Sequence, residues 1–223
     1  MKIGIHMAIH FRRLLSGPTF LATLLVTSSL AEEGDHPSIF LEKGDKFSFE
    51  EFDGDSLPKT IELRGGSNAK VVDGVLTVVN ESNENNSVPR PVIHFKPIPE
   101  EFVCHIRMKM IGEDYKPKPP WLDIGGGHRN HFRFTADKVF FSSEEVPLSE
   151  RKIDNARAVN MLPLNEWLDV TIEIEKGKIG LSINGVTQIY EEANIETSDR
   201  RQIGIKAIPK GQLLVDYIRI WQR

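Results

Sequence analysis

The sequence predicts an all-β fold, a two-sheet antiparallel jelly-roll sandwich, and three observations carry that prediction. Apolar and polar residues alternate with period two from Leu168 through Ile174 and again from Ile179 through Ile183, the pattern of a strand with one buried and one solvated face. Asn184-Gly185 and Asp73-Gly74 stand between such runs, and these dipeptides readily take the positive φ angles of two-residue hairpin turns. About a dozen short strand-like runs succeed one another with Gly, Asn and Asp between them and no long amphipathic helix, which argues for packed antiparallel sheets.

Residues 1–31 read as a secretory signal peptide. Arg12 and Arg13 precede an apolar run over 14–25, and Ser29-Leu30-Ala31 supplies small residues for cleavage after Ala31. The apolar run is shorter than the roughly 20 residues of a membrane span. The mature form is therefore expected to be secreted or periplasmic, without a membrane partner. Removing residues 1–31, which hold Lys2, Arg12 and Arg13 and no acid, leaves 192 of the 223 residues, with 25 basic against 32 acidic side chains and a net charge of −7. That length suits one sizeable core, and that charge gives no electrostatic reason to expect nucleic acid.

Residues 32–46 are polar and read as a flexible leader, with the jelly-roll domain over 47–223. Strands are expected at 47–52, at 71–72 and 75–79 around the Asp-Gly turn, at 92–96 and at 102–110. In the last of these Phe102, Cys104, Ile106, Met108 and Met110 share the apolar face. Cys104 is the only cysteine, so no internal disulfide forms and the thiol reads as a buried structural group. Residues 115–120 contain three prolines, which remove ladder donors, so they form a loop. Further strands are expected at 121–125, 131–135, 138–142 and 156–160, then the three-stranded meander 166–190, then 202–208 and 213–221. The polar face of the meander, Asp169, Thr171, Glu173 and Glu175, is expected to be solvated.

Several pieces together resemble the concanavalin A-like (laminin G-like) jelly rolls: Val72-Asp73-Gly74-Val75-Leu76, Glu166-Trp167 before a long strand, Ile183-Asn184-Gly185, and the closing Val215-Asp216-Tyr217-Ile218-Arg219-Ile220-Trp221. Their order and spacing are most similar to the bacterial 3-keto-disaccharide hydrolase family, and the closing strand is also similar to that of laminarinase-type glycoside hydrolases. The resemblance implies an exported carbohydrate-active jelly roll that hydrolyses or eliminatively cleaves glycosides, 3-keto-glycosides among them. It also implies a structural calcium ion on Asp216, the counterpart of the closing-strand acid. The chain departs from these families in having neither the E-x-D-x-x-E strand of the laminarinases nor an N-S-G-I strand. The alternative reading is accordingly a non-catalytic, lectin-like carbohydrate-binding module.

The middle strands carry the side chains suited to such chemistry. If they share one sheet, His94, His105, Arg107, Trp121, Asp123, His131 and Arg133 project from one face, joined by His128 and Arg129 from the glycine-rich turn. An indole such as Trp121 offers a sugar ring a stacking surface, and Arg, His and Asp supply donors and acceptors for hydroxyls. The proton beside the carbonyl of a 3-keto sugar is acidified, so a positioned His105, Asp123 or His131 could begin elimination as a base. Arg107 or Arg133 would then stabilise the enolate oxygen. The same residues could equally only bind.

Overall fold

The computed structural model describes residues 37–64, 68–80, 92–113, 121–124, 130–134, 138–143, 157–158, 163–191 and 202–223. Along them run the strands β1 (Lys46–Glu50), β2 (Ile61–Arg64), β3 (Asn68–Val72), β4 (Val75–Asn80), β5 (Val92–Phe95), β6 (Phe102–Ile111), β7 (Trp121–Ile124) and β8 (Asn130–Phe134). They continue as β9 (Lys138–Ser143), β10 (Arg157–Ala158), β11 (Trp167–Glu175), β12 (Lys178–Ile183), β13 (Val186–Glu191), β14 (Ile203–Lys206) and β15 (Gly211–Gln222). The expected strands all have a counterpart; β2 is an addition, a four-residue run too short to declare a period.

The turns form where their residues allow. Asp73 and Gly74 take φ values of 51° and 75° between β3 and β4, and Asn184 and Gly185 take 48° and 80° between β12 and β13, as a two-residue hairpin requires. The strands assemble into two antiparallel sheets. The larger has the order β13-β12-β11-β6-β15-β4-β3, with β1 also pairing β15; the smaller has the order β10-β9-β8-β7-β14-β5-β2.

The sheets share one core. From the larger sheet come Cys104, Ile106, Met108 and Met110 of β6 and Leu168, Val170, Ile172 and Ile174 of β11, none more than 1% exposed. From the smaller come Phe95, Leu122, Ile124, Phe132, Ile203 and Ile205. The Phe132 and Tyr190 rings meet across the sheets with centroids 5.8 Å apart. Each such side chain stabilises the fold by about 1.5–3 kcal/mol through removal from water. Burial also pushes the Cys104 thiol well above its ordinary pKa, because a thiolate would have to be charged without solvent.

The closing strand contains an irregularity. Val215 pairs with Met108 but Tyr217 pairs with Arg107, so Asp216 is one residue too many, a β-bulge. The bulge changes phase: Leu213 and Val215 face the core before it, Ile218 and Ile220 after it.

Two expectations are corrected on the outer face of the larger sheet. Residues 37–46 are not a loose leader, and the polar face of β11 is not simply solvated. Glu173 is fully buried, and its carboxylate accepts hydrogen bonds from the backbone N–H groups of Ile39, Phe40 and Leu41. Successive N–H groups converging on one anion form a nest. The clasp fits because β12 has a glycine beneath it: a Cβ on Gly180 would stand 2.7 Å from Phe40 Cε1 and 3.1 Å from Ile39 Cδ1. The Lys178 ammonium lies 4.4 Å from the Phe40 ring centroid, and that of Lys43 4.8 Å from the Trp221 ring.

Glu173→Gln removes the charge and places an amide N–H₂ against backbone donors. We expect a loss of about 2–4 kcal/mol in urea unfolding. Glu175→Gln, which touches only the exposed pair with Arg223, should change stability by less than about 0.5 kcal/mol. The Cys104 thiol should fail to react with a disulfide reagent at pH 8 until denaturant is added; rapid labelling of the native protein would contradict its burial.

Candidate functional site

The smaller sheet arranges its outer face in rows. Across an antiparallel ladder, paired residues share a face, so a row can be read from the register. Glu62 of β2 pairs with His94 of β5, His94 with Gly204 of β14, Gly204 with Asp123 of β7, Asp123 with His131 of β8, and His131 with Ser142 of β9. The next row runs Arg64, Val92, Lys206, Trp121, Arg133, Phe140. The alternate positions, Phe95, Ile203 and Ile124 or Ile205, Leu122 and Phe132, fill the core. Period two within each strand thus puts the polar set on the side away from the core.

Five of the expected site residues take strand positions on this outer face: His94, Trp121, Asp123, His131 and Arg133. Two do not. β6 lies between β11 and β15 in the larger sheet, so His105 and Arg107 face outward on the opposite side of the sandwich. The expectation that the middle strands share one sheet is therefore corrected. His105 is fully buried beside Trp221, ring centroids 4.9 Å apart, with Thr171 and Arg219 as its cross-strand neighbours. Arg107 lies between Asp169 and Tyr217, and its guanidinium carbon is 5.7 Å from the Trp167 ring centroid. His128 and Arg129 lie outside the described residues.

β14 supplies what the sequence reading missed, Gly204 and Lys206, because it is inserted between β5 and β7. It is held from the other sheet: the buried Asn80 side chain donates to the carbonyls of Ala207 and Ile208 just beyond it, at 3.3 and 2.7 Å. Its one legible signal was a glycine amid the alternating apolar residues of Ile203-Gly204-Ile205. Where its exposure is described, the middle of the row is largely withdrawn from solvent. His94 is 7% exposed and Gly204 is buried, while Asp123 is partly exposed. At the end of the row Glu62 forms an ion pair with Lys96.

The surroundings of Asp216 do not fit calcium. Its carboxylate faces the Arg107 guanidinium, Nε at 3.6 Å, where a calcium site would need six to eight oxygens. Among the described residues no group of three or more His, Cys, Asp or Glu converges as a metal site. Arg219 next to this bulge is likewise engaged, with Glu51 at 2.7 and 3.1 Å and over the Tyr217 ring at 4.3 Å. The Tyr217 hydroxyl is pushed above its ordinary pKa, first by burial and then by Asp169, against the opposing charges of Arg219 and Arg107.

No family model and no curated protein matches the chain. Solved structures do. An endo-acting O-glycanase of the human gut microbiota aligns with 79% of this chain and 99% of its own, at 10% identity and a TM-score of 0.58. A galectin-like protein of unknown function from Bacillus subtilis aligns with 81% of this chain and 97% of its own, at 12% and 0.55. LamA of Z. galactanivorans, solved with laminaritriose and laminaritetraose, aligns with 81% and 100%, at 10% and 0.55. This chain shares the jelly-roll fold of these proteins. At such identities the likeness is one of fold, and chemistry has to be argued from the site.

If the Arg107–Asp216 pair takes the place of a metal, adding calcium or a chelator should move the melting temperature by less than about 1 °C. A ligand at a hundred times its Kd would instead stabilise by about 2.7 kcal/mol, and such a rise would overturn this assignment.

Proposed function

We propose that this chain is a carbohydrate-active jelly roll that takes its sugar on the outer face of the smaller sheet. The observation that supports this most is the pair of adjacent rows, one with His94, Asp123 and His131, the next with Trp121, Arg133 and Lys206. Strand positions carrying proton-transfer residue types thus adjoin positions carrying an indole and two cations, the residue types suited to a sugar's ring and its oxygen atoms. The jelly-roll enzymes of like fold act on glycans, and an exported chain of net negative charge suits a neutral sugar better than a polyanion.

Of the cleavage chemistries, elimination from a keto sugar fits this face best. Glycoside hydrolysis by two carboxylates needs them about 5–5.5 Å apart for retention or 6.5–9.5 Å for inversion. The acids of the described row, Glu62 and Asp123, stand three strand positions apart, roughly 14 Å at the usual strand spacing. Glu62 is also engaged by Lys96. Elimination asks for less: one base removes the C2 proton beside the carbonyl, and a cation holds the enolate oxygen. The enolate collapses to a C1–C2 double bond as the C1–O glycosidic bond breaks, the leaving oxygen taking its proton from the protonated base or from water. Asp123, His94 or His131 serves as the base and Arg133 or Lys206 as the cation. A 3-keto-glycoside is the substrate class that matches.

The decisive assay incubates the mature protein with 3-keto-glycosides and with ordinary disaccharides. Turnover of the keto sugars should fall about 10²–10⁴-fold in Asp123→Asn, with binding retained, while Trp121→Ala should weaken binding at least tenfold. Saturable glycan binding without turnover would replace the enzyme by a lectin-like module. Absence of binding across a broad glycan panel would overturn both.

A further inference from the structure

The described glycines fall into groups with different reasons. Gly74, Gly177 and Gly185 have positive φ, which side chains on Cβ disfavour. Gly44, Gly112, Gly180 and Gly211 are packed so closely that a Cβ would meet another atom at 2.1–2.7 Å. Gly54 borders open space in an exposed turn. Gly204 has neither a positive φ nor a clash, yet it occupies a strand interior, where glycine is unfavourable.

What surrounds it supplies the reason. A Cβ on Gly204 would stand 3.4 Å from Asp123 Cβ and 3.4 Å from both Nδ1 and Cε1 of His94. These atoms therefore lie within 3.4 Å of one point, and His94 Nδ1 is no more than twice that, 6.8 Å, from Asp123 Cβ. Yet β5 and β7 are not neighbours; β14 lies between them, so their backbones are about 9.5 Å apart. The His94 ring edge and the Asp123 Cβ thus flank the one position between them that has no side chain.

We infer that His94 and Asp123 act as a single acid–base pair closed over Gly204, and that Gly204 is the positioning residue that lets them meet. This deepens the proposed reading: the pair, rather than either residue alone, is the proton-transfer element of the sugar site, with His131 on the far side of Asp123. An alanine at 204 fits in ordinary contact and leaves the pair closed. A valine places two further carbons between the imidazole and the carboxylate side chain and separates them.

The test needs no ligand. The His94 ring-proton NMR signal, identified as the one missing in His94→Gln, is compared before and after Asp123→Asn in three backgrounds: native, Gly204→Ala and Gly204→Val. Asp123→Asn should move the signal in the native and alanine proteins and leave it in place in the valine protein. An unmoved signal in the native protein overturns the inference, and so does an undiminished shift in a folded valine variant. Should the valine protein fail to fold, the native comparison decides alone. A coupled pair in a protein that turns over no keto sugar and binds no glycan would uphold the inference and overturn the proposed function. Catalysis unaffected by Gly204→Val with the pair uncoupled would do the reverse.

Discussion

Every long strand of this chain has one face committed to the core between the two sheets, and the rest of the structure depends on that constraint. A core of isoleucine, leucine, valine, phenylalanine and methionine side chains fixes which residues point inward. It thereby fixes which side chains are left for chemistry. With two sheets there are two outer faces, and they are used differently. On the larger sheet the charges are engaged close at hand: Glu173 by backbone amides, Arg219 by Glu51, Arg107 by Asp216. On the smaller sheet the strand positions of His94, Asp123, His131, Trp121 and Arg133 fall in adjacent outer rows that include a bare glycine.

The strands themselves were legible because their signal is local. Alternation in β6, β11 and β12 and the turn pairs Asp73-Gly74 and Asn184-Gly185 are read within a few residues, and the structure follows them. Sheet membership was not legible, because it is decided by pairing across the whole chain. His105 and His131 look alike in sequence, each a histidine at the polar position of a middle strand. β6 pairs with β11 and β15 whereas β8 pairs with β7 and β9, and the two histidines end on opposite sides of the sandwich. The fold was therefore readable and the candidate site only in part.

Glu173 shows the same limit from the other direction. Its position in an alternating strand marks it as solvated, and nothing nearby contradicts that. Its partners are backbone amides more than 130 residues earlier, groups that every sequence possesses and none advertises. The bulge at Asp216 went unread in the expected strand 213–221, although Val215 and Ile218, both core residues, are three apart where an unbroken strand would space them by two or four. Gly204 lies between these cases. A glycine in an apolar strand is a visible anomaly, but its meaning needed the neighbours on both sides.

The clasp on Glu173 makes the residues ahead of β1 part of what the larger sheet needs. Residues 39–41 are pinned to the outer face of the larger sheet, beside β11 and β12, and the candidate site occupies the outer face of the smaller one. Loss of residues 39–41 would therefore strip the buried Glu173 carboxylate of three amide donors on the outer face of the larger sheet, while the ladder pairings that build the rows on the smaller sheet involve none of these residues.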